Sequence, residues 1–342
     1  MTTQLDCSIG LAKETVYGTG VAVAKFPEFL DESLAWNPTF VQGAGMRTGK
    51  RLARAARRSI AKEQSGGDIN LEMCTKGLGV FLEALFGTGT STAVPAQTGA
   101  YQQVFTPTTT DPVPSYTIQK GIPTVGGGAV TAMTFNGAVC ASGEFSASAG
   151  EIVKLKTTWD AREVLTSVAY APPSYAASPE LFTFVHGSIC IGGTVTPPTA
   201  TALATGGTIA ANITEFSFSW DNKIDDGGFT FGSKGKRGRK PVVGLAEGKG
   251  KVTAEYTNTI LRDAYLAQQQ LALLLTFETA TVIGATARPS LQIYLPVIML
   301  EGELPKSNGG AVITQSIDFT VLDGEVTASP VYVAMVTTDT AI

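Results

Sequence analysis

The chain has 342 residues and a net charge of −4 at pH 7; 44% of its residues are hydrophobic and 16% are charged. This length allows a sizeable buried core in one large or two ordinary domains, and the composition excludes a uniformly basic nucleic-acid binder. Charged residues fall below the usual quarter, which is typical of a protein that covers much of its surface with neighbours, and the 38 glycines favour frequent turns.

The first residues, MTTQLDCSIGLAKE, contain neither the basic nor the apolar region of a signal peptide. The apolar run LQIYLPVIML at 291–300 is half the length of a membrane span and contains a proline. The four cysteines lack metal-binding and redox spacings and are typical of small buried side chains in a reducing compartment; they are Cys7, Cys74, Cys140 and Cys190. We therefore expect a protein that is made in a cytoplasm and has no membrane anchor.

Two landmarks recur in the same order along the chain. SLAW at 33–36 is matched by SFSW at 217–220, an offset of 184 residues. A glycine-rich basic stretch follows each of them, at 43–67 and at 227–250. Ordered self-similarity of this kind predicts an internal duplication, with chance similarity in Gly- and Thr-rich sequence as the alternative.

A strand-like run and a helix are predicted after each basic stretch. The run DINLEMC corresponds to KVTAEYT at an offset of 183 residues. In TKGLGVFLEALFG the apolar residues recur at i, i+3, i+4, i+7 and i+8, which predicts one apolar helical face: Leu78, Phe81, Leu82, Leu85 and Phe86. NTILRDAYLAQQQLALLL is the predicted helical counterpart, and PSYTIQK at 114–120 is matched with PSLQIYL at 289–295.

The last part of each half predicts strands. EIVKLKTTW and ITQSIDFTVL alternate polar and apolar residues with a period of two. Asn136-Gly137 and Asp323-Gly324 are typical of hairpin turns, and residues 192–208 have the composition of a linker. We predict a mainly β fold with flanking helices, in two similar modules over residues 1–178 and 179–342, with extended loops at 43–67 and 227–250.

The first basic stretch invites the interpretation of a nucleic-acid-binding segment over residues 47–62. Its cations would crowd one side of a helix: Arg47, Lys50, Arg51, Arg54, Arg57, Arg58 and Lys62. Against this interpretation, residues 43–67 contain no aromatic side chain to stack on bases, and neither half of the chain is net basic.

The second basic stretch favours a different role. It places Lys234, Lys236, Arg237, Arg239 and Lys240 at the equivalent point of the second half. A long basic loop that occurs twice is typical of an arm that docks on an acidic patch of a neighbour, because arginine makes bidentate bonds to carboxylates. A solvated flexible loop remains a further alternative.

No catalytic or cofactor signature is present. GAGMRTGKR fails the phosphate-binding P-loop pattern, since Ala44 stands where the first glycine belongs and Arg51 follows the lysine. The only histidine, His186, lies in a strand-like segment and leaves no His-clustered metal site. Trp36, Trp159 and Trp220 lie on predicted strands and indicate core packing. We therefore expect no enzyme, metal or cofactor, and carbohydrate binding by exposed Thr/Gly loops is a weaker alternative.

Several segments together resemble the major tail tube proteins of long non-contractile-tailed, siphovirus-like bacteriophages, particularly those of actinobacterial hosts. The segments are ETVYGTGVAVAKFPEFLDESLAW, the long basic loop, the unit ending LEALFG, and FNGAVCASGEFSASAGEIVKLKTTWDARE. The resemblance implies a twisted β-sandwich with a flanking helix, in which six modules form a ring-shaped β-barrel. It also implies that rings stack into the channel for DNA ejection and that the long loop reaches the adjacent ring.

Two modules in each chain would make the ring a trimer with pseudo-sixfold symmetry; a hexameric ring, with the second half as an immunoglobulin-like decoration, is the alternative. The implied partners are further copies of the chain, the tail terminator, distal tail and tape-measure proteins, and viral DNA that passes without specific binding. The implied location is the virion tail, after assembly in the host cytoplasm. Acidic side chains facing the channel would repel DNA phosphates; Asp318 is one candidate, and Lys154 and Lys156 lie on the corresponding face of the first half.

Overall fold

The protein is described here by a computed structural model that covers residues 2–110, 113–210, 212–307 and 309–342. The fold is mainly β with short helices, as the sequence predicts. The elements of the first half are β1 (Ser8–Lys13), β2 (Phe29–Glu32), β3 (Ala35–Trp36), β4 (Thr39–Gln42), β5 (Arg58–Lys62), β6 (Ser65–Glu72), α1 (Gly79–Phe86), β7 (Gly87–Ala93), β8 (Tyr101–Pro107), β9 (Tyr116–Pro123), β10 (Val130–Ser148), β11 (Lys154–Ala161) and β12 (Glu163–Leu165).

The second half has a similar succession of strands around one helix. Its elements are β13 (Gly187–Ile191), β14 (Val195–Thr196), β15 (Thr205–Gly206), β16 (Ile213–Asp221), β17 (Glu247–Glu255), α2 (Ile260–Leu266), β18 (Leu271–Glu278), β19 (Ser290–Gly302), β20 (Thr314–Val321) and β21 (Tyr332–Thr337). Short 3₁₀ turns occupy Gln4–Asp6, Ala55–Arg57 and Phe184–His186.

One continuous antiparallel sheet, called here the long sheet, runs through both halves. Its strand order is β2, β6, β11, β10, β16, β17, β20 and β19, and β3 continues the line of β2 along β6. Two other sheets share its longest strands. The first part of β10 pairs with β9 and β12, and β9 pairs with β1. The first part of β19 pairs with β18 and β21, which continue to β13 on one side and to β8 and β7 on the other.

The same pattern of pairing recurs in the two halves. In the first half, the strands β1, β9, β10 and β12 pair in that order, and β10 also begins the series β10, β11, β6 and β2. In the second half, β13, β18, β19 and β21 pair in that order, and β19 also begins the series β19, β20, β17 and β16. The registers agree as well. Trp36 lies opposite Ser65 and Trp220 lies opposite Gly248. These pairs reproduce the offsets of 184 and 183 residues between the two halves of the sequence.

The core lies on one side of the long sheet, under the other two sheets and α1. A row of residues crosses that side in register, all of them buried except the half-buried Gly250: Leu71, Leu155, Phe145, Phe218, Gly250, Phe319 and Leu300. Phe145 stacks on Phe218 with ring centroids 6.2 Å apart. Gly250 is required in this row because a Cβ there would lie 2.2 Å from the Phe319 ring. Buried aromatic area of this kind is the main stabilising contribution to such a sheet.

The predicted helix of the first half is confirmed at α1, although nearly all of its residues are buried rather than one face, because β7, β8 and β10 surround it. The prediction for the second half is wrong in its extent. Helix α2 ends at Leu266, and the run LALLL forms β18 in place of a longer helix. β-pairing with both β13 and β19 outweighs the helical propensity of leucine there.

The two predicted hairpin turns are also wrong. Asn136-Gly137 lies inside β10, where the pairing with β9 shifts between Phe135 and Ala138, so the glycine serves a bulge. Asp323-Gly324 lies in the connection from β20 to β21, and each of these strands pairs with β19 instead of with the other. Residues 192–208, predicted as a linker, contain the small hairpin of β14 and β15.

The matching of 114–120 with 289–295 is wrong by one strand. Residues 116–123 form β9, which pairs with β1 and with β10. Residues 290–302 form β19, whose neighbours correspond to those of β10. By its pairing, the counterpart of β9 is β18. Both segments read PS followed by alternating apolar residues, and such a pattern does not distinguish one buried strand from the next.

Candidate functional site: a polar sheet face and a projecting hairpin

The side of the long sheet that faces away from the core is polar from end to end. Along β11, β16, β17 and β20, buried residues alternate with exposed or half-buried ones, so every second side chain of these strands points to this face. Its carboxylates are Asp31, Asp68, Glu72, Glu144, Glu215, Asp221, Glu247, Glu255, Glu301 and Asp318. Its ammonium groups are Lys154, Lys156, Lys249 and Lys251, together with Lys223, which follows β16 and pairs with Asp221 and Glu247. The face therefore carries an excess of negative charge.

The structure brings all three predicted channel-facing residues onto this polar face. Lys154, Lys156 and Asp318 are all exposed. Lys156 Nζ lies 2.9 Å from Asp68 Oδ2, and Lys154 Nζ lies 3.1 Å from Glu151 Oε2. Asp318 lies opposite Lys251 and Glu301 in the strand registers. The two lysines are thus partly neutralised within the chain, and the acidic excess remains.

Ion pairs on this face shift the pKa values of their members. The hydrogen bond with Asp68 raises the pKa of Lys156. Burial opposes ionisation of Asp68, but hydrogen bonds from Lys156 and Thr158 hold the pKa of that carboxyl below its usual value. Hydrogen bonds from Lys223 and Lys249 lower the pKa of Glu247 to about 2. These carboxylates are therefore charged at every pH near neutrality.

The first basic stretch forms a projecting hairpin, called here the arm, which comprises residues 39–62. β4 pairs with β5, and the only helical turn between them is the 3₁₀ turn at Ala55–Arg57, so its cations do not lie on a helix. Residues 39–61 are all exposed, including the apolar side chains of Met46 (97%) and Leu52 (87%).

The arm has few stabilising contacts of its own. Gln42 Nε2 donates to the Arg54 carbonyl at 3.0 Å, and the Arg58 guanidinium lies 4.3 Å from the centre of the Phe40 ring. Within the described residues, none of the arm's cations between Arg47 and Arg58 forms an ion pair. Exposed apolar side chains beside unpaired arginines are typical of a surface that binds another macromolecule.

The second basic stretch lies in a loop, called here the second loop, over residues 222–246. It differs from the arm because its cations are bound within the chain. Lys236 Nζ lies 2.5 Å from Glu163 Oε2, and Arg239 Nη2 lies 2.6 Å from Asp225 Oδ2. Lys240 Nζ donates to the Val113 carbonyl at 2.8 Å. Lys234 is exposed.

Arg237 is the centre of the second loop and is only 1% exposed. Its Nη1 atom donates to the carbonyls of Asp225 and Gly227, each at 2.8 Å, and Nη2 lies 2.5 Å from Asp160 Oδ2. Burial raises the pKa of Asp160, although the Arg237 charge opposes that shift. Arg237 therefore fastens the second loop to the end of β11.

The two basic stretches, nearly two hundred residues apart in sequence, meet in the fold. The Glu63 amide donates to the Gly235 carbonyl at 2.7 Å, and Lys62 Nζ lies 4.1 Å from the centre of the Phe229 ring. The second loop thus supports the base of the arm. No sequence signal distinguished Lys62 and Arg237 from the exposed cations around them.

The tryptophans and the cysteines differ in exposure, and the histidine lies in a turn. Trp159 and Trp220 are buried, but Trp36 is 44% exposed, so its assignment to the core is wrong. His186 ends a 3₁₀ turn just before β13, where its Nδ1 accepts a hydrogen bond from the Thr183 amide. Cys140 is buried, whereas Cys7, Cys74 and Cys190 are partly exposed, and all four are free thiols.

No group of His, Cys, Asp and Glu side chains in the part of the chain that the structure describes is placed to hold a metal ion. No helix found there has the length and apolar character needed to cross a bilayer.

The family described as "Phage tail tube protein" matches residues 4–321. The chain belongs to this family. No curated protein matches it. Tail tube proteins are structural components of the virion, and the mainly β fold described above agrees with that role.

Proposed function

We propose that this tail tube protein forms rings that stack into the tail tube of a siphovirus-like phage with an actinobacterial host, and that DNA leaves the virion through the resulting channel. The observation that carries the proposal is the long sheet, which has a polar face on one side and a core on the other. Among the described residues, β2 and the end of β19 each pair with a strand on one side only. Open edges of this kind invite uncontrolled pairing, and ring closure pairs them.

The repeated strand pairing supports two tail tube modules per chain, over residues 1–178 and 179–342. Each module contributes four strands to the long sheet in the same order. A ring of six modules then requires three chains, which is a trimer with pseudo-sixfold symmetry. A hexamer of whole chains is the alternative, in which the second half decorates the tube. Helix α2 and the basic second loop are evidence against an immunoglobulin-like decoration, because such sandwiches lack both features.

The polar face is the proposed wall of the channel. Its carboxylates include Asp318 and Glu301 on adjacent strands, and its lysines Lys154 and Lys156 lie within reach of carboxylates. A wall with net negative charge repels phosphates, so DNA slides without specific binding. Partly neutralised lysines reduce the attraction that would otherwise hold DNA in place.

The arm is the proposed contact to the adjacent ring. Its cations, Arg47, Lys50, Arg51, Arg54, Arg57 and Arg58, are exposed and would bind carboxylates of the next ring. For the second loop, Lys234 is the cation best placed to reach outward, because Lys236, Arg237, Arg239 and Lys240 already bind groups of their own chain. Further partners would be the tail terminator, distal tail and tape-measure proteins, met in the host cytoplasm during assembly.

The unpaired cations of the arm also favour a second candidate function, nucleic-acid binding by residues 47–62. The arm contains Phe40, but Arg58 lies over its ring, and no aromatic residue is present between positions 43 and 62 to stack on bases. Membership in the tail tube family favours assembly over this alternative.

Negative-stain electron microscopy of the purified, concentrated protein tests the proposal. Hollow rings or tubes in end-on class averages are expected, and the mass of an isolated ring distinguishes three chains from six. Compact monomers at every concentration and salt, with or without a tail extract as initiator, would contradict it.

A further inference from the structure

The two halves of the chain are joined by a strand pairing that lies in the middle of the long sheet. Ser142–Ser148 at the end of β10 pair antiparallel with Glu215–Asp221 of β16. β10 belongs to the first half and β16 to the second, so this junction is a contact between modules within one chain. Phe145 and Phe218 stack across it, and Trp220 packs 6.0 Å from Phe86 of α1.

The segment after β19 corresponds to the end of β10, but it has no strand like β16 beside it within the described chain. β10 pairs with β11 as β19 pairs with β20, and these registers place Gly302, Glu303 and Leu304 where Gly143, Glu144 and Phe145 lie. The sequences agree, GEF in β10 and GEL after β19. However, β19 ends at Gly302, and residues 303–307, all of them described, form no strand. Leu304 is 48% exposed, whereas Phe145 is buried.

At the other end of the long sheet, β2 and β3 correspond to β16, because they pair with β6 as β16 pairs with β17. The line of β2 and β3 pairs with β6 on one side, and no strand among the described residues covers its other side. Trp36 occupies the register position of Trp220 but is 44% exposed, against 5% for Trp220. The difference is the one expected if a neighbouring module covers Trp220 and nothing in the single chain covers Trp36.

Backbone groups at this outer side are bound by side chains of the same subunit. The Leu34 amide donates to Glu32 Oε2 at 2.8 Å, and Lys120 Nζ donates to the Leu34 carbonyl at 3.2 Å. Leu34, the counterpart of Phe218, therefore directs both of its backbone groups away from β6. These are the two groups that an added antiparallel strand would pair.

We propose that β2 and β3 of one subunit pair antiparallel with residues 302–307 of a neighbouring copy, in the register Gly302–Trp36, Glu303–Ala35 and Leu304–Leu34. This seam between chains repeats the β10–β16 junction within the chain, and it rests on the proposed ring. The register also accommodates Pro305. It falls opposite Ser33, whose amide already donates to the Asp68 carbonyl, so no N–H is needed from the proline at the seam.

A disulfide across the seam tests the register. Ala35 and Glu303 are exposed and would form a directly opposed, non-hydrogen-bonded pair, in which Cα atoms are about 4.5 Å apart, within the range of a disulfide. The variant A35C/E303C is assembled and oxidised mildly, and its chains are separated by non-reducing electrophoresis. The control A35C/E301C places the second cysteine two residues out of register; each single variant and the wild type report cross-links made by the native cysteines.

The expected result is a ladder of linked chains that ends at the number of chains in one ring, formed about tenfold more efficiently than in the out-of-register control. Tubes or rings that form normally but link no better than the control would overturn the seam and leave the proposed function standing. Equal melting temperatures of variant and wild type exclude misfolding. Absence of any ring or tube in the wild type would overturn the proposed function and the seam together.

Discussion

Arg237 Nη2 lies 2.5 Å from Asp160 Oδ2, and this pair joins a buried arginine of the second half to the end of strand β11 in the first half. The guanidinium also binds the Asp225 and Gly227 carbonyls, which orders the second loop around it. The pair therefore holds the two halves together at the base of the arm. Removing one member of such a pair leaves the other buried without its partner.

Replacement of Arg237 by alanine should lower the free energy of unfolding by about 3–5 kcal/mol, the range for breaking a buried ion pair. Urea unfolding followed by tryptophan fluorescence measures it. Arg54→Ala removes an exposed arginine of the arm and should change stability by no more than about 0.5 kcal/mol. Equal losses in the two variants would contradict the structural role of Arg237.

Reversal of three arm charges, Arg54, Arg57 and Arg58 to Glu, should leave the fold and the single ring intact and block stacking of rings. The reason is that these side chains have no ion pairs within the described part of the subunit and would meet carboxylates of the next ring. Circular dichroism reports the fold, and electron microscopy reports tube length. Normal tubes from this variant would refute the docking role of the arm.

Binding of the wild-type protein to duplex DNA at about 0.15 M salt should be weak and should change little with salt concentration, since the polar face is acidic and the proposed ligands of the arm are carboxylates of a neighbouring ring. Fluorescence anisotropy with a labelled duplex measures it. Submicromolar binding with a salt slope of roughly 0.9 per phosphate contact would favour the nucleic-acid alternative. In that case the arm reversal should abolish binding, which gives the assay its control.

Trp36 and Trp220 provide a matched pair of substitutions. Trp220→Ala should destabilise the isolated subunit by about 3–5 kcal/mol, because it removes a buried aromatic side chain that packs on α1. Trp36→Ala should cost the subunit less than about 1 kcal/mol, yet it should reduce ring formation. Sedimentation velocity measures assembly and urea unfolding measures stability. A Trp36 variant that assembles like the wild type would weaken the proposed seam.

The ion-pair cluster around Glu247 predicts a pH dependence of stability. In the folded protein, hydrogen bonds from Lys223 and Lys249 lower the pKa of Glu247 from its usual value of 4.5 to about 2. A carboxyl whose pKa is lowered by folding stabilises the fold at pH values above its pKa in the unfolded chain. This contribution disappears as the pH falls from 4.5 towards 2. The stability difference between wild type and Glu247→Gln should therefore be present at pH 6 and vanish near pH 2; a difference that is constant with pH would contradict it.

The sequence was informative where a local pattern coincides with the structure that forms. Strands β11 and β20 follow their period-two alternation, and α1 follows its helical spacing. The offsets between SLAW and SFSW, and between the following strands, equal the offsets of their strand registers. The polar face, with Lys154, Lys156 and Asp318, follows from the same alternation once the strands are placed side by side.

The sequence was misleading where long-range pairing overrode a local preference. LALLL reads as helix but lies between two strands that pair with it, and Asn136-Gly137 reads as a turn but lies in a strand of 19 residues. Equally charged side chains had opposite environments: Arg237 is buried and bound, whereas the arginines of the arm are exposed. Charge and spacing do not report which carboxylate will lie beside an arginine.

The sequence by itself determined a mainly β chain with a repeated order of elements, two basic stretches and a resemblance to tail tube proteins, because alternation, composition and motifs are local properties. Only the tertiary structure decided which basic stretch projects and which is bound, and which strand edges remain open. Those outcomes depend on pairings between residues far apart in the chain, such as Arg237 with Asp160 and β10 with β16. Their free energy arises from desolvation and geometry in the assembled fold, which no segment carries alone.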